Sequence, residues 1–140
     1  MSEEQAYWRD YTTSVLRPTQ QILCRTPNIT MEALADRTAY VRATNKDGIA
    51  ILEATATWCS QCKAIAPFVE KMRLKYPDAR FYTYDTDTAE DIAQELAARA
   101  MPTFSIFKDG DLMDSITGAK PEKLEKAIKD IYDGKVVGDE

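Results

Sequence analysis

The sequence predicts an α/β domain in which a central mixed β-sheet is flanked by helices on both faces. A length of 140 residues suits one domain, and a composition of 44% hydrophobic and 29% charged residues is typical of globular proteins. From residue 31 onward, short strand-like apolar runs alternate with helical stripes in the order β-α-β-α-β-β-α. Such an alternation is typical of a sheet whose connecting helices pack against it.

Residues 1–30 are predicted to form an N-terminal helical extension and connector. A short helix is expected over residues 3–16, because Ser2 and Gln5 have the spacing of a capping box and Tyr7, Tyr11 and Val15 recur four positions apart. Prolines 18 and 27 indicate that residues 17–30 connect this helix to the domain. The helix either folds back on its own domain or docks with its aromatic face on another protein.

The domain itself is predicted to span residues 31–134, and its first half contains a buried strand and a long helix. The strand is expected over residues 49–56, a nearly continuous apolar run. The helix is expected over residues 60–76, with one apolar stripe formed by Ile65, Phe68, Val69 and Met72. Before them, residues 32–45 are compatible with a helix, and residues 29–34 with a short first strand.

The second half of the domain is predicted to contain three strands and two helices. Residues 80–85 are rich in β-forming residues, and Thr88 with Asp91 is expected to start a helix that reaches about Arg99. Strands over 103–107 and 112–117 flank a hairpin turn at Lys108-Asp109-Gly110. Pro121 opens the last helix, and residues 135–140 are predicted to be a tail.

Charge and composition exclude several classes of function. With 18 basic and 23 acidic residues, the formal net charge is −5, which argues against a nucleic-acid or anionic-membrane binder. The absence of histidine removes Ser-His and Cys-His catalysis and every His-containing zinc site. No apolar run approaches the length of a membrane span. The acidic start of the chain lacks an apolar core, so that we expect no targeting signal and a cytoplasmic location.

Cys59 and Cys62 are the most informative residues, since they lie three positions apart where the buried strand gives way to a helix. Residues i and i+3 of a helix are about 5–6 Å apart. That spacing falls within the Cα separation of roughly 4.4–6.8 Å that a disulfide requires. The free N–H groups and the dipole of the helix start favour a thiolate at Cys59, and Lys63 adds positive charge nearby.

Three interpretations of this cysteine pair compete. A zinc site needs further ligands, but only Cys24 remains and the sequence has no histidine, so it holds no predicted metal site. Two inert, buried structural thiols are the second interpretation, against which their position at a helix start after Trp58 argues. A thiol–disulfide redox pair is favoured, because C-x-x-C after a strand is a strong signal for it.

Several short segments of the sequence resemble thioredoxin, in the order in which that family has them. They occur over residues 39–133 and read Ala56-Thr57-Trp58-Cys59-Ser60-Gln61-Cys62-Lys63, Ala66-Pro67-Phe68, Met101-Pro102-Thr103, Phe107-Lys108-Asp109-Gly110 and Gly118-Ala119. Asp85-Thr86-Asp87 and Met101-Pro102-Thr103-Phe104 are more similar to the eukaryotic cytosolic members than to the bacterial ones. The resemblance implies a thioredoxin fold.

The resemblance also implies a role for each matching residue. Cys59 would be the attacking thiolate, Cys62 the resolving thiol, and Pro102 a cis-proline that faces the pair. The substrate-binding surface would consist of Trp58, Met101, Pro102, Thr103, Gly118 and Ala119. The implied partners are disulfide-containing protein substrates and an NADPH-dependent thioredoxin reductase. No bound cofactor is implied, since the cysteine pair carries the electrons.

Glu53 is the only charged residue inside the apolar strand, and it stands where the family usually has a buried aspartate. A carboxylate that is desolvated there titrates high, and could pass a proton to or from Cys62. The alternative is a side chain that reaches solvent past the edge of a strand.

The Ser60-Gln61 dipeptide departs from the Gly-Pro that the family usually has between its cysteines. This change leaves open whether the protein mainly reduces, isomerises or oxidises disulfides, although reduction is predicted. Cys24 is predicted to be a free thiol or a site of regulatory or intermolecular disulfide formation. The alternative function is a thioredoxin-fold adaptor or structural subunit that docks to a larger assembly through helix 3–16.

Overall fold

A computed structural model of the chain describes residues 31–138. The predicted helix 3–16 and Cys24 therefore lie outside the described residues. The described elements are, in chain order, β1 (Glu32–Ala33), α1 (Arg37–Thr44), β2 (Ile49–Thr55), α2 (Ser60–Lys75), β3 (Ala79–Asp85), α3 (Glu90–Glu95), β4 (Thr103–Lys108), β5 (Asp111–Thr117) and α4 (Pro121–Ile131).

The five strands form one mixed sheet in the order β1-β3-β2-β4-β5. The pairs β1–β3 and β2–β3 are parallel, whereas β4 runs antiparallel to both β2 and β5. The predicted mixed sheet is therefore confirmed. β2 lies at its centre, which agrees with the nearly continuous apolar run that predicted a strand buried on both faces.

Alternate residues of β2 face two separate hydrophobic cores. Ile49 and Ile51 pack with the buried residues of α2 and α4, which are Ile65, Val69, Met72, Leu124, Ala127 and Ile128. Ala50 and Leu52 pack on the opposite face with the buried residues of α1 and α3, which include Tyr40, Ala43 and Ile92. The helices thus cover both faces of the sheet, and α2 carries the cysteine pair at its start.

The β4–β5 hairpin has the predicted turn at Asp109-Gly110. Both residues have positive φ, at 52° and 92°, and Lys108 pairs with Asp111 across the turn. Two-residue turns with positive φ at both positions match the twist of the flanking strands, and they favour Asp-Gly. The predicted hairpin is confirmed, and β5 becomes an edge of the sheet.

The helix predicted from Thr88 to about Arg99 is wrong at both ends. In the structure, α3 covers only Glu90–Glu95, and its N-cap residue Ala89 makes no side-chain capping bond. The Asp91 carboxylate instead accepts a hydrogen bond from the backbone N–H of Arg37 at 2.8 Å. At the other end Ala97 adopts a φ of 54°, a left-handed conformation that ends the helix.

The segment after α4, predicted as a tail, folds back on the end of α2 as far as it is described. The N–H of Val137 donates to the carbonyl of Lys75 at 2.9 Å. The N–H of Lys135 donates to Asp78 Oδ2 at 3.0 Å, and the hydroxyl of Tyr132 donates to the carbonyl of Lys135 at 2.5 Å. We refer to residues 132–137 as the C-terminal strap.

Candidate active site

Cys59 and Cys62 form a disulfide at the N-terminus of α2, with their Cα atoms 5.4 Å apart. Cys59 is the N-cap residue of this helix, and its Sγ accepts a hydrogen bond from the N–H of Cys62 at 3.1 Å. The sulfur therefore takes the place of the Ser, Thr or Asp oxygen that usually caps a helix. Ser60, the other residue here whose side chain could cap a helix, is the first residue inside it.

The two sulfurs lie in a shallow apolar setting at the end of β2. Cys59 and Cys62 are only 4% and 6% exposed, and they cluster with Ala56 and the partly buried Met101. The side chains of Ser60, Gln61 and Lys63 are exposed around them. The disulfide is thus covered mainly by residues of two loops, one after β2 and one before β4.

Trp58 is the most exposed large hydrophobic residue beside the pair, with 64% of its surface accessible. Its indole Nε1–H donates to Asp87 Oδ2 at 2.9 Å, and the N–H of Asp87 in turn donates to Asp85 Oδ1 at 2.7 Å. The loop after β3 therefore holds the ring in place while leaving one apolar face open. An exposed, fixed aromatic side chain is a typical contact surface for a partner protein.

The Met101–Pro102 peptide bond is cis, as the resemblance implied for Pro102. The carbonyl of Pro102 accepts a hydrogen bond from the N–H of Gly118 at 2.7 Å, which fastens the start of β4 to the end of β5. Thr103 is buried, and its hydroxyl donates to the carbonyl of Ala100 at 2.5 Å. Ala119 is partly buried against the core that α2 and α4 cover.

Thr86 connects the two loops that surround the disulfide, and sequence reasoning did not single it out. Its hydroxyl lies 3.3 Å from the carbonyl of Thr55, at the end of β2, and 3.7 Å from Met101 Sδ. Its backbone N–H donates to the same Thr55 carbonyl at 2.9 Å. A signal was present, because polar residues directly after the parallel strand β3 lie at the sheet edge where sites form.

Glu53 is buried in the middle of β2, with 5% of its surface accessible. The alternation along β2 places it on the same sheet face as Ile49 and Ile51, which is the face that α2 covers. Cys62 belongs to the buried row of α2, so the two residues share this layer. Burial raises the pKa of Glu53 from 4.5 to about 7. The alternative of a solvent-reaching side chain is wrong.

Comparison with known proteins connects this arrangement to one family. The family profile described as Thioredoxin matches residues 31–130. The chain belongs to the thioredoxin family. The mitochondrial thioredoxin-3 of Saccharomyces cerevisiae is 34% identical over 125 residues, which cover 89% of this chain and 98% of the yeast protein. Thioredoxin-1 of Schizosaccharomyces pombe is 37% identical over 99 residues, which cover 71% of this chain and 96% of that protein.

The fold agrees with solved thioredoxins as well. The crystal structure of oxidized mitochondrial thioredoxin 3 from Saccharomyces cerevisiae superposes with a TM-score of 0.70 at 40% identity, covering 72% of this chain and 95% of that one. The thioredoxin of Malassezia sympodialis superposes with a TM-score of 0.71 at 34% identity, covering 77% and 96% of the two chains. The thioredoxin fold that the resemblance implied is confirmed.

Family membership and the Cys59–Cys62 disulfide establish the class of reaction. The protein is a thiol–disulfide oxidoreductase with a redox-active C-x-x-C pair, and its partners are disulfide-containing proteins and a thioredoxin reductase. Within residues 31–138, no helix is long and apolar enough to cross a membrane. The same residues contain no group of three or more His, Cys, Asp or Glu side chains that could hold a metal ion.

Proposed function

We propose that the protein reduces disulfides of other proteins, with Cys59 as the attacking thiolate and Cys62 as the resolving thiol. Cys59 attacks one sulfur of the substrate disulfide, forms a mixed disulfide and releases the other substrate sulfur as a thiolate. Cys62 then loses its proton and attacks Cys59 Sγ, which releases the second substrate thiolate. The reaction leaves the substrate as a dithiol and the protein as the Cys59–Cys62 disulfide.

The position of Cys59 at the cap of α2 is the observation that carries this proposal. Its Sγ already accepts a hydrogen bond from the N–H of Cys62, and a thiolate accepts such a bond more strongly than a neutral sulfur. The free N–H groups and the dipole of the helix start add to this stabilisation. Lys63, exposed in the first turn, adds a positive charge on the same side. Cys62 lies one turn deeper and has no such environment.

Glu53 is proposed to accept the proton of Cys62 in the second step. The carboxylate lies under α2, on the layer that holds Cys62, and has a pKa of about 7. A base with a pKa close to the working pH is ionised often enough to accept a proton and is still a useful base. Gln at this position cannot accept the proton.

Trp58, Met101, Gly118 and Ala119 are proposed as the surface on which the substrate lies, with the buried Pro102 directly beneath it. Trp58 offers an exposed aromatic face next to the disulfide, and Met101, which precedes the cis bond, packs against the cysteine pair. Thr103, the first residue of β4, lies buried behind this surface, and its hydroxyl supports the loop by donating to the carbonyl of Ala100. A substrate would approach across this apolar surface with its disulfide over Cys59.

The two cysteines are distinguished by trapping. Cys62→Ser should accumulate a covalent mixed disulfide with a protein substrate, whereas Cys59→Ser, its matched control, should form none, as read by non-reducing electrophoresis and mass spectrometry. Trapping by the Cys59→Ser variant instead would mean that Cys62, and not Cys59, attacks the substrate.

Glu53→Gln should slow the release of the mixed disulfide. An unchanged turnover across pH 6–9 would rule out the proposed role of Glu53.

Two further proposals concern the cellular partners. The electrons for the next cycle are proposed to come from an NADPH-dependent thioredoxin reductase, because the chain's site offers a cysteine pair and the family implies such a reductase. Docking of another protein on helix 3–16 stays a prediction from the sequence, as does a cytoplasmic location. Consumption of NADPH with a purified reductase and a protein disulfide tests the first of these.

A further inference from the structure

A groove runs from the candidate active site along the free edge of the sheet, between β5 and α4. It has a volume of about 470 Å³ and is lined by residues 114–117 of β5 and by Lys120, Lys123, Lys126, Ala127 and Asp130. Its near end adjoins the cis-proline, since the N–H of Gly118 bonds to the carbonyl of Pro102 at 2.7 Å and the N–H of Lys120 to the carbonyl of Gly118 at 3.0 Å. We call this feature the edge groove.

The wall formed by β5 is suited to an extended peptide. Among the described residues, β5 pairs with β4 alone, so its outer edge keeps N–H and C=O groups that a further strand can bond to. Addition of an extended segment to such an edge is a recurring mode of peptide recognition, in which neighbouring side chains supply the specificity. The edge groove therefore has a backbone template on one wall.

The wall formed by α4 supplies charge. Lys120 is the N-cap residue of α4, and Lys123 and Lys126 follow it inside the helix at three-residue intervals, so that all three line the groove. The Lys126 ammonium is already compensated, because it lies 2.9 Å from Asp130 Oδ2. That hydrogen bond and the charge of Asp130 raise the pKa of Lys126, and Asp114 adds to the effect.

Lys120 and Lys123 differ from Lys126, since neither has a carboxylate partner among residues 31–138. The end of the edge groove that adjoins Gly118 and Pro102 therefore carries two uncompensated positive charges. This positive end is a local exception in a chain whose formal net charge is −5. A complementary ligand has an extended backbone and carboxylates that reach these two ammonium groups.

We propose that the edge groove binds an acidic, extended segment of the protein substrate that lies a few residues from the reacting disulfide. The proposal rests on the proposed reductase function and names the substrate class that this site prefers. Lys120 and Lys123 are the residues that form ion pairs with the carboxylates of the acidic segment. The chemistry at the disulfide is the one already described, and the groove changes only how often a substrate is correctly placed.

The experiment compares peptide disulfides that differ only in the residues beside the disulfide. Three flanks are used, of aspartates, of lysines or of glutamines, each placed before or after the reacting cysteine. The full chain is reduced beforehand and freed of reductant, and its oxidation by excess peptide is followed through the change in tryptophan fluorescence, since Trp58 lies beside the cysteine pair. The readout is the ratio of second-order rate constants for the acidic and basic peptides of one placement. If none of the peptides oxidises the reduced wild-type protein, the proposed function fails, and this proposal fails with it.

For wild type, the acidic peptide should react about three- to tenfold faster than the basic one in one of the two placements, from two exposed ion pairs. Lys120→Gln with Lys123→Gln should bring that ratio close to one, and Lys120→Glu with Lys123→Glu should invert it. Lys71→Gln with Lys129→Gln removes the same charge from exposed positions outside the groove and should keep the wild-type ratio. Salt at 0.5 M should reduce the preference, since exposed ion pairs are screened.

A wild-type ratio near one in both placements overturns the proposal, while reaction with the glutamine peptide leaves the reductase function standing. A preference for acidic peptides that persists unchanged in the Lys120→Glu, Lys123→Glu variant also overturns the proposal, because another part of the surface would then cause that preference. Equal loss of the preference in the Lys71→Gln, Lys129→Gln control has the same consequence, since overall charge and not the groove would be responsible.

Discussion

Glu53 places an ionisable group where the fold would otherwise be apolar, and this has a thermodynamic consequence apart from catalysis. Its pKa is raised by burial from 4.5 to about 7. Below pH 4.5 the carboxyl group is protonated in both the folded and the unfolded chain, so it makes no difference to stability. Between pH 4.5 and 7 the unfolded chain ionises while the folded chain still holds the proton, so the free energy of unfolding falls as the pH rises.

The size of this effect follows from the shift, since one pKa unit corresponds to about 1.4 kcal/mol. Glu53→Gln should therefore gain roughly 3 kcal/mol relative to wild type between pH 4.5 and 8, with most of the change complete near pH 7. Urea unfolding of both oxidised proteins at several pH values measures the difference. A difference that stays constant across this range would show that Glu53 titrates normally in the folded chain.

Thr86 acts on the active site through the side chain of Met101. Its hydroxyl contacts Met101 Sδ at 3.7 Å and the carbonyl of Thr55 at 3.3 Å, and Met101 covers the cysteine pair. Thr86→Val keeps the shape of the side chain and removes the hydroxyl, which should release Met101 and raise KM for protein disulfides about two- to fivefold, a typical loss for one weak hydrogen bond. The value of kcat should change less.

The conservative variant separates positioning from general destabilisation. Thr86→Ser restores the hydroxyl but lacks the methyl group, so it should recover most of the wild-type KM even if it is less stable. Steady-state kinetics with a protein disulfide and with a small aromatic disulfide give the comparison. Equal KM values for Thr86→Val and wild type would mean that Met101 is held by packing alone.

At the scale of elements, the C-terminal strap is a contact that fastens the end of the chain to the end of α2. The position of Gly134 has no room for a side chain, because a Cβ atom there would lie 2.9 Å from Asp78 Cβ. Asp78 cannot move away freely, since its Oδ2 accepts from the N–H of Lys135 at 3.0 Å. Gly134→Ala should therefore open the strap and cost about 1 kcal/mol or more of stability, as overpacking usually does.

Hydrogen exchange measures the opening of the C-terminal strap, and denaturant unfolding measures the loss of stability. In Gly134→Ala, the N–H of Val137 should lose the protection that its bond to the carbonyl of Lys75 provides. Lys135→Ala is the control, because it keeps the backbone N–H that bonds to Asp78 and changes only an exposed side chain. Slow exchange at Val137 in both variants would mean that the Gly134 position tolerates a methyl group.

The elements also show which features a local pattern can predict. The strand at 49–55, the helix at 60–75 and the Asp109-Gly110 turn are specified by apolar runs and by turn residues, so the sequence was sufficient. The extent of α3 was not predictable in this way. The Asp91 carboxylate accepts a hydrogen bond from the N–H of Ile92 in its own helix and a second one from the N–H of Arg37, which is 54 positions away. The strap was missed for the same reason, since Asp78 and Lys135 are 57 positions apart.

At the scale of the whole molecule, the active site is assembled from three loops that the sheet brings to one edge. Cys59 and Cys62 could be predicted from their spacing, because helix geometry alone brings them together. The cis bond at Pro102 was predicted from the resemblance to thioredoxin and not from the spacing of residues. The contacts of Thr86 with Met101 and of Asp87 with Trp58 were not predictable from spacing, since they link positions 15 and 29 residues apart. Only the order of strands in the sheet places these residues side by side.

The same assembly predicts that residues 31–140 suffice for the chemistry. The family match begins at residue 31, and residues Met31–Glu140 form a compact unit. Every predicted site residue lies in this unit. Deletion of residues 1–30 should therefore leave a chain that still unfolds cooperatively. Reduction of a glutamine-flanked peptide disulfide should stay within about twofold of the full chain.

The deletion also separates the reductase from the adaptor interpretation. If residues 1–30 serve only to dock on a partner, the shortened chain keeps its disulfide chemistry and loses co-purification with that partner. Denaturant unfolding, peptide reduction and size-exclusion chromatography of cell extract, run side by side on both chains, measure all three properties. Loss of reduction in a shortened chain that still unfolds cooperatively would mean that the N-terminal segment contributes to the active site, and the boundary at residue 31 would then be wrong for function.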